Sequence, residues 1–66
     1  MSVKYPNVRV QLTGNDGNAF AVLGRCVAAA KRQGVSSEEC ETFVGEATSG
    51  DYNHLLATAM KWFNVS

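Results

Sequence analysis

The sequence has little of the chemistry on which catalytic and metal-binding sites are usually built. Its 66 residues include one histidine, one tryptophan, one proline and two cysteines. A structural zinc site needs four Cys or His ligands, which this chain cannot supply. Cys26 and Cys40 are also too few for a disulfide framework, and at apolar helix positions they behave as small hydrophobic side chains. We therefore predict no metal and no cofactor.

Long apolar segments are missing as well. No apolar run approaches the roughly 20 residues that cross a bilayer. Residues 1–6, MSVKYP, contain no apolar core of a signal peptide. The composition, 45% hydrophobic and 18% charged, is that of a globular domain. We expect a single domain over residues 1–66, located in the cytoplasm and without membrane contact.

The net charge is zero, but the two halves of the chain have opposite signs. Residues 1–33 contain five basic residues and one acidic residue, and residues 34–66 contain one basic and five acidic residues. The halves therefore carry charges of +4 and −4. Solvated helix faces are the simplest explanation. The alternatives are internal complementarity and a two-signed surface suited to self-association.

Near the N-terminus, residues 7–13 alternate between apolar and polar side chains, the pattern of a half-buried strand. The apolar positions are Val8, Val10 and Leu12. A lone strand leaves its backbone donors and acceptors unpaired, so it needs a partner. Two partners are available: the β-compatible residues 63–66, or the same strand of a second molecule.

The rest of the chain has helical periodicity. We predict helices at residues 19–33, 37–48 and 52–63. Capping residues precede each one: Asp16 or Asn18 for the first, Ser36 for the second and Asp51 for the third. Ser36 forms a capping box with Glu39, in which each side chain reaches the other's backbone amide.

The predicted fold class is α+β, a small and mainly helical domain. It has one N-terminal strand and three helices, and residues 63–66 add a short C-terminal strand if they, and not a second molecule, pair with the first strand. Apolar periodicity also predicts the core. The core residues would be Val8, Val10, Leu12, Phe20, Leu23, Val27, Cys40, Phe43, Val44, Leu55, Leu56, Ala59 and Phe63.

The loop between the strand and the first helix is a candidate ligand site. Its residues are Gly14, Asn15, Asp16, Gly17 and Asn18. A strand, a glycine-rich turn and a helix N-terminus together can bind an anion. The loop lacks the Gly-Lys-Ser/Thr ending of a P-loop, and no second strand follows the helix as a dinucleotide fold requires. We interpret it as a turn and cap, with a small phosphate or nucleotide ligand as an alternative.

Asp51 and His54 form the second candidate ligand site. Side chains three residues apart on a helix can meet. Ser49 lies before the helix start, and nothing in the sequence forms an oxyanion hole. We therefore predict no catalytic residue, and interpret His54 as an imidazole on a helix face near a cap.

Three helices, with a glycine in the turn between the second and the third, suggest a helix-turn-helix protein. The recognition helix would be residues 52–63, with Asn53, His54, Thr58 and Lys61 exposed. The preceding helix carries four glutamates, which repel a phosphate backbone. A nucleic-acid-binding regulator is therefore an alternative rather than the preferred function.

Two segments carry a resemblance to other proteins. GNDGNAF at residues 14–20, followed by SGDYNHLL at residues 49–56, resembles a group of small bacterial and phage-associated proteins to which no activity is assigned. The likeness extends over residues 7–65. It implies a bacterial, intracellular setting and carries over no functional residue.

The preferred function is a small, non-enzymatic interaction or accessory module. The unpaired strand, the charge asymmetry and the missing catalytic set favour it. Its partner would be a second copy of the chain, forming a homodimer, or another protein.

Overall fold

The computed structural model describes residues 3–11 and 18–65. The order of the elements is β1 (Tyr5–Val10), α1 (Ala19–Arg32), α2 (Ser37–Ala47), α3 (Tyr52–Trp62) and β2 (Phe63–Val65). This confirms the predicted α+β arrangement. The helices start at the predicted residues, and each ends one residue earlier than predicted.

β1 and β2 form a two-stranded parallel sheet. The paired positions are Tyr5 with Phe63, Arg9 with Asn64, and Val10 with Val65. Of the two candidate partners, β1 therefore uses the C-terminal segment of its own chain. A parallel pair requires a long crossover connection, and here the three helices provide it. The sheet thus brings the two ends of the described chain together.

β1 begins two residues earlier than predicted, and Gln11 lies outside it. Long-range pairing explains the earlier start, because the Lys4 amide also donates to the Lys61 carbonyl at 3.1 Å. The register is irregular between Tyr5 and Arg9. Pro6 falls within this irregular part, where a residue without an N–H is tolerated.

Side chains cap all three helices at their N-termini. Asn18 accepts from the amides of Phe20 at 2.9 Å and Ala21 at 3.3 Å. Ser36 and Asp51 cap α2 and α3 in the same way. Of the two residues predicted to cap α1, the structure thus shows Asn18 in this role, and Asp16 lies outside the described residues.

Only half of the predicted capping box forms. The Ser36 hydroxyl accepts from the Glu39 amide at 3.2 Å, but the Glu39 carboxylate does not return to Ser36. It accepts instead from the Tyr5 hydroxyl at 2.8 Å and from Lys4 Nζ at 3.1 Å. The sheet brings β1 to the start of α2. The hydroxyl of Tyr5 and the ammonium group of Lys4, which precedes β1, therefore donate to Glu39 in place of the Ser36 backbone amide.

The core lies between the sheet and the inner faces of the helices. Eight predicted core residues are buried: Val8, Val10, Leu23, Cys40, Phe43, Leu55, Ala59 and Phe63. Three more pack against them half-buried: Val27, Val44 and Leu56. The predicted core residue Leu12 lies outside the described residues.

Phe20 was wrongly predicted to be in the core, because its side chain is 84% exposed. The apolar arc of α1 is wide, so periodicity alone does not decide which part of it faces inward. The buried residues of α1 are Val22, Leu23, Cys26 and Ala30. The helix is therefore rotated toward Val22 and Cys26, and Phe20 is left at the surface.

An aromatic cluster closes the core beside the sheet. The Phe43 ring meets Phe63 edge-on at 4.9 Å between centroids and Trp62 at 5.5 Å. Tyr5 stacks on Phe63 at 6.1 Å. These contacts join α2 to both strands and the end of α3, so the aromatic side chains near the C-terminus serve packing.

Candidate functional site

A concave groove between β1 and α1 is lined by three arginines. It has a volume of about 340 Å³. Its lining residues are Arg9, Val10, Gln11, Arg25, Ala28, Ala29 and Arg32. We call it the arginine groove.

Local structure brings these three guanidinium groups to one surface. Arg9 lies between the buried Val8 and Val10, so strand alternation turns it outward. Arg25 and Arg32 are seven residues apart on α1, which is two helical turns and therefore one face. All three arginines are exposed.

Small and polar groups complete the groove. Ala28 and Ala29 lie between the two arginines of α1 and leave the helix surface open. Arg25 Nη1 donates to the Gln11 carbonyl at 3.2 Å, so one guanidinium is held against the end of β1. An arginine has five N–H donors, and most of those on Arg25 therefore remain available to a ligand.

The positive charge in the arginine groove has no carboxylate beside it within residues 3–11 and 18–65. The ion pairs formed in this part of the chain are Lys4 with Glu39 at 3.1 Å and Lys61 with Glu46 at 3.9 Å. The carboxylates described by the structure lie on α2 and at the N-cap of α3. The groove therefore presents three like charges to solvent.

The structure describes only part of the predicted loop site. Gly14, Asn15, Asp16 and Gly17 lie outside the described residues. Asn18 is exposed, and its side-chain oxygen accepts from two amides of α1. Its role in the structure is that of a helix cap.

Asp51 and His54 are close together, but their side chains do not form a pair. Asp51 Oδ1 accepts from the His54 backbone amide at 2.8 Å. The His54 ring points toward the end of α2, where Nε2 is 2.9 Å from the Glu46 carbonyl and 3.1 Å from Ser49 Oγ. A carbonyl can only accept, so Nε2 carries a proton in this contact.

This geometry gives His54 a structural task. The last carbonyls of a helix lack intrahelical partners, and His54 donates to one of them at the end of α2. Because Nε2 is protonated there, it cannot accept a proton from Ser49, whose hydroxyl donates to the same carbonyl at 2.7 Å. In this arrangement Ser49 and His54 cap the C-terminal end of α2 together.

Thr58 was predicted on the exposed face of the third helix and is 2% exposed. Its hydroxyl donates to the His54 carbonyl at 2.9 Å, so the helix itself satisfies this buried polar group. Met60, on the same helix, is a large apolar side chain that lies at the surface and is 61% exposed.

A second polar cluster ties the start of the chain to α2. The hydrogen bond between Tyr5 and Glu39, together with Lys4, lowers the pKa of Glu39, and the same bond raises the pKa of Tyr5. Lys4 Nζ also lies 4.2 Å from the Trp62 ring centroid, a cation–π distance. These groups all have partners within the fold, so we assign the cluster to stability.

The two cysteines predicted to behave as small hydrophobic side chains lie in the core. Both thiols are free and buried. Burial raises the pKa of Cys26 to about 11, so its thiol is neutral near pH 7 and a poor nucleophile. Across residues 3–11 and 18–65, no three Cys, His, Asp or Glu side chains are grouped so as to hold a metal ion.

Two other hollows carry less information about a ligand. One lies between α1 and α2, has a volume of about 350 Å³, and includes Lys31 and Glu41 with opposite charges. The other is about 180 Å³ and lies beside Phe20, Tyr52 and Leu55. No helix in the described part of the chain is both long and apolar enough to cross a membrane.

Comparison of the chain with protein-family models, curated proteins and solved structures finds no match. The resemblance to small bacterial and phage-associated proteins therefore stays a prediction. The residues of the arginine groove were not among the predicted site residues. The signals that could have found them were the +4 charge of residues 1–33 and the seven-residue spacing of Arg25 and Arg32.

Proposed function

We propose that this chain is a small, non-enzymatic binding module that holds an anionic ligand in the arginine groove. The observation that carries the proposal is the convergence of Arg9, Arg25 and Arg32 on one concave surface. No carboxylate from the described residues accompanies them.

Electrostatics supports a binding role. Three like charges around one groove repel one another, and a concave surface concentrates their potential. An anion bound there relieves the repulsion and gains charge-assisted hydrogen bonds. Guanidinium groups suit this task because their planar donors match carboxylate and phosphate oxygens in pairs.

The lining also supports binding without catalysis. In the described part of the chain it consists of arginine, valine, glutamine and alanine side chains. Arginine stays protonated in proteins, so it cannot act as a general base, and none of the other three is a nucleophile. The groove can hold and orient an anion but offers no group that would react with it.

The proposal is tested by NMR titration of the protein with anions of different kinds at low ionic strength. The probes are sulfate, tripolyphosphate, a hexaglutamate peptide and a short DNA strand. We expect at least one of them to shift the amide peaks of Gln11, Arg25, Ala28 and Arg32. If none of the four moves these peaks, the arginine groove is not an anion site.

A matched pair of variants locates the binding. Arg32→Gln removes a charge from the groove, and Lys31→Gln removes one from the adjacent position, which lines the hollow between α1 and α2. We expect the first to weaken binding and the second to leave it nearly unchanged. Equal losses in both would point to general attraction by the basic half of the chain.

The other functions predicted from the sequence remain open to the same experiment. Of the residues expected to read DNA from α3, Thr58 is buried and the His54 ring caps α2, so α3 has less to offer than predicted. A ligand at residues 14–18 would shift those amides rather than the groove's. One reason for predicting a homodimer, the unpaired strand, no longer applies because β1 pairs within the chain, but the charge asymmetry remains. We also propose a bacterial, cytoplasmic setting.

A further inference from the structure

We infer that the arginine groove selects a ligand with two or more linked phosphate groups. This class includes pyrophosphate, inorganic polyphosphate and nucleoside di- and triphosphates. The inference rests on the proposed anion-binding function and narrows it to one ligand chemistry.

The charge of the groove is the first argument. A single phosphate ester carries about two negative charges at neutral pH, fewer than the three guanidinium groups of Arg9, Arg25 and Arg32. A carboxylate side chain carries one. Linked phosphates place several negative charges in a small volume, and they match the groove without drawing on charges elsewhere.

The spacing of the arginines is the second argument. Arg25 and Arg32 are seven residues apart, about 10 Å along the axis of α1, and Arg9 reaches the groove from β1. Paired hydrogen bonds to three separate forks require more oxygen atoms, spread more widely, than the four of one tetrahedral anion. A chain of linked phosphates has such oxygens, whereas a single tetrahedral anion does not.

The size and lining of the groove separate this ligand from a nucleic acid strand. A volume of about 340 Å³ is at the lower end of the range of about 300–1,000 Å³ for small-molecule sites. Single-strand binders usually add aromatic side chains on which bases stack. Among the described residues that line the groove, none is aromatic, so a compact ligand fits better than an extended strand.

One arginine is already positioned for such a ligand. The bond from Arg25 Nη1 to the Gln11 carbonyl, at 3.2 Å, restrains its guanidinium before binding. Restraint of this kind lowers the entropy that is lost when a ligand binds. Ala28 and Ala29 leave the space between Arg25 and Arg32 free of larger side chains.

The test is calorimetric titration of the full chain with tripolyphosphate, pyrophosphate, orthophosphate and sulfate at fixed ionic strength. We expect tripolyphosphate and pyrophosphate to bind at least about tenfold more tightly than orthophosphate, since one added charged hydrogen bond contributes at least about 1.4 kcal/mol, to which a tenfold change corresponds. Equal affinity for all four anions would overturn the inference.

Variants show whether the binding occurs in the groove. We expect Arg32→Gln and Arg9→Gln each to weaken tripolyphosphate binding by about tenfold or more. Lys31→Gln should change it by less than about twofold, because an exposed charge outside the site is screened by salt. Circular dichroism of each variant checks that it is folded. Equal weakening by Lys31→Gln would contradict the inference.

Two further comparisons are needed. One distinguishes a nucleotide from a free phosphate chain, and the other distinguishes failure of this inference from failure of the proposed function. Tighter binding of ATP than of tripolyphosphate identifies a nucleotide, and equal binding identifies the phosphate chain itself; either supports the inference. If hexaglutamate or DNA shifts the groove amides while tripolyphosphate does not, the groove still binds anions but this inference is wrong. If no anion binds, both fail.

Discussion

The arginine groove and the junction between α2 and α3 differ in how their polar groups are used. At the junction, Ser49, Asp51 and His54 all bond to backbone groups, and Trp62 Nε1 donates to Glu46 at 3.3 Å. In the groove, one bond from Arg25 is directed inward and the rest of the charge faces solvent. Asp51 and His54, which the sequence predicted as a candidate ligand site, thus stabilise the fold.

The difference offers a way to tell a structural cluster from a binding site. A polar group whose hydrogen-bonding capacity is filled inside the fold lowers the free energy of that fold, and its loss costs stability. A charged group without an internal partner contributes little to stability. The junction should therefore respond to mutation through unfolding, and the groove through binding.

The largest expected effect on stability is at Gly50. A Cβ at this position would lie 2.8 Å from both Cβ and Cγ of His54, so the helix junction has to shift. We expect Gly50→Ala to lower the free energy of unfolding by about 1–3 kcal/mol, the usual cost of overpacking. Urea denaturation followed by circular dichroism measures it.

Gly45 is the matched control, because a Cβ there would meet nothing within 4 Å. Gly45→Ala in the interior of α2 should raise the free energy of unfolding by about 0.5–1 kcal/mol. If both substitutions have the same sign, the close approach of Gly50 to His54 is not what determines the outcome.

His54 has the next largest expected effect. His54→Ala removes one of the donors to the Glu46 carbonyl, which keeps its bond from Ser49, and we expect a loss of about 1 kcal/mol in the free energy of unfolding. Anion binding should be unchanged, as measured by the same titration as for the arginine variants. A variant that keeps its stability but loses binding would reverse the roles of the junction and the groove.

The Tyr5–Glu39 bond is expected to have a smaller effect that depends on pH. The pKa of Glu39 is lowered in the fold, so its contribution is present above its unfolded-state pKa and is lost as pH falls through the folded pKa. The pKa of Tyr5 is raised, so that contribution is present below its unfolded-state pKa and is lost as pH rises through the folded pKa.

Tyr5→Phe removes the bond that contributes most to both shifts. The difference in urea midpoint between wild type and variant should be largest between the two titrations and shrink at acidic and strongly alkaline pH. A difference that stays constant over this whole range would show that the ring contacts of Tyr5, and not its hydroxyl, carry its contribution.

The smallest expected effect on stability belongs to the arginine groove. Arg32→Gln should change the free energy of unfolding by no more than about 0.5 kcal/mol, as is usual for exposed positions. A small increase is the expected direction, because one of three repelling charges is removed. A loss of more than about 1 kcal/mol in thermal and urea unfolding would make this arginine a structural residue.

Local signals predicted the helices well and the strand partly. Ser36 and Asp51 mark helix starts because their side chains satisfy amides that the helix leaves free, a requirement that acts within a few residues. The alternation around Arg9 correctly placed Val8 and Val10 inside. The start of β1 was misplaced because Tyr5 is held by Phe63, a residue distant in sequence.

The groove and the exposed Phe20 were not predictable from the same local signals. A wide apolar arc allows several rotations of α1, and packing against the sheet selects one. That rotation places Arg25 and Arg32 beside Arg9. The charge of residues 1–33 could be counted in the sequence, but not its convergence on one surface.

The sequence alone therefore determined the N-terminal strand, the three helices with their starting residues, and most of the core, since caps and periodicity act over one or two turns. The tertiary structure decided the parallel pairing of β1 with β2, the capping task of His54 and the assembly of the arginine groove. Each of these joins residues from different elements, and their relative positions depend on how the whole core packs.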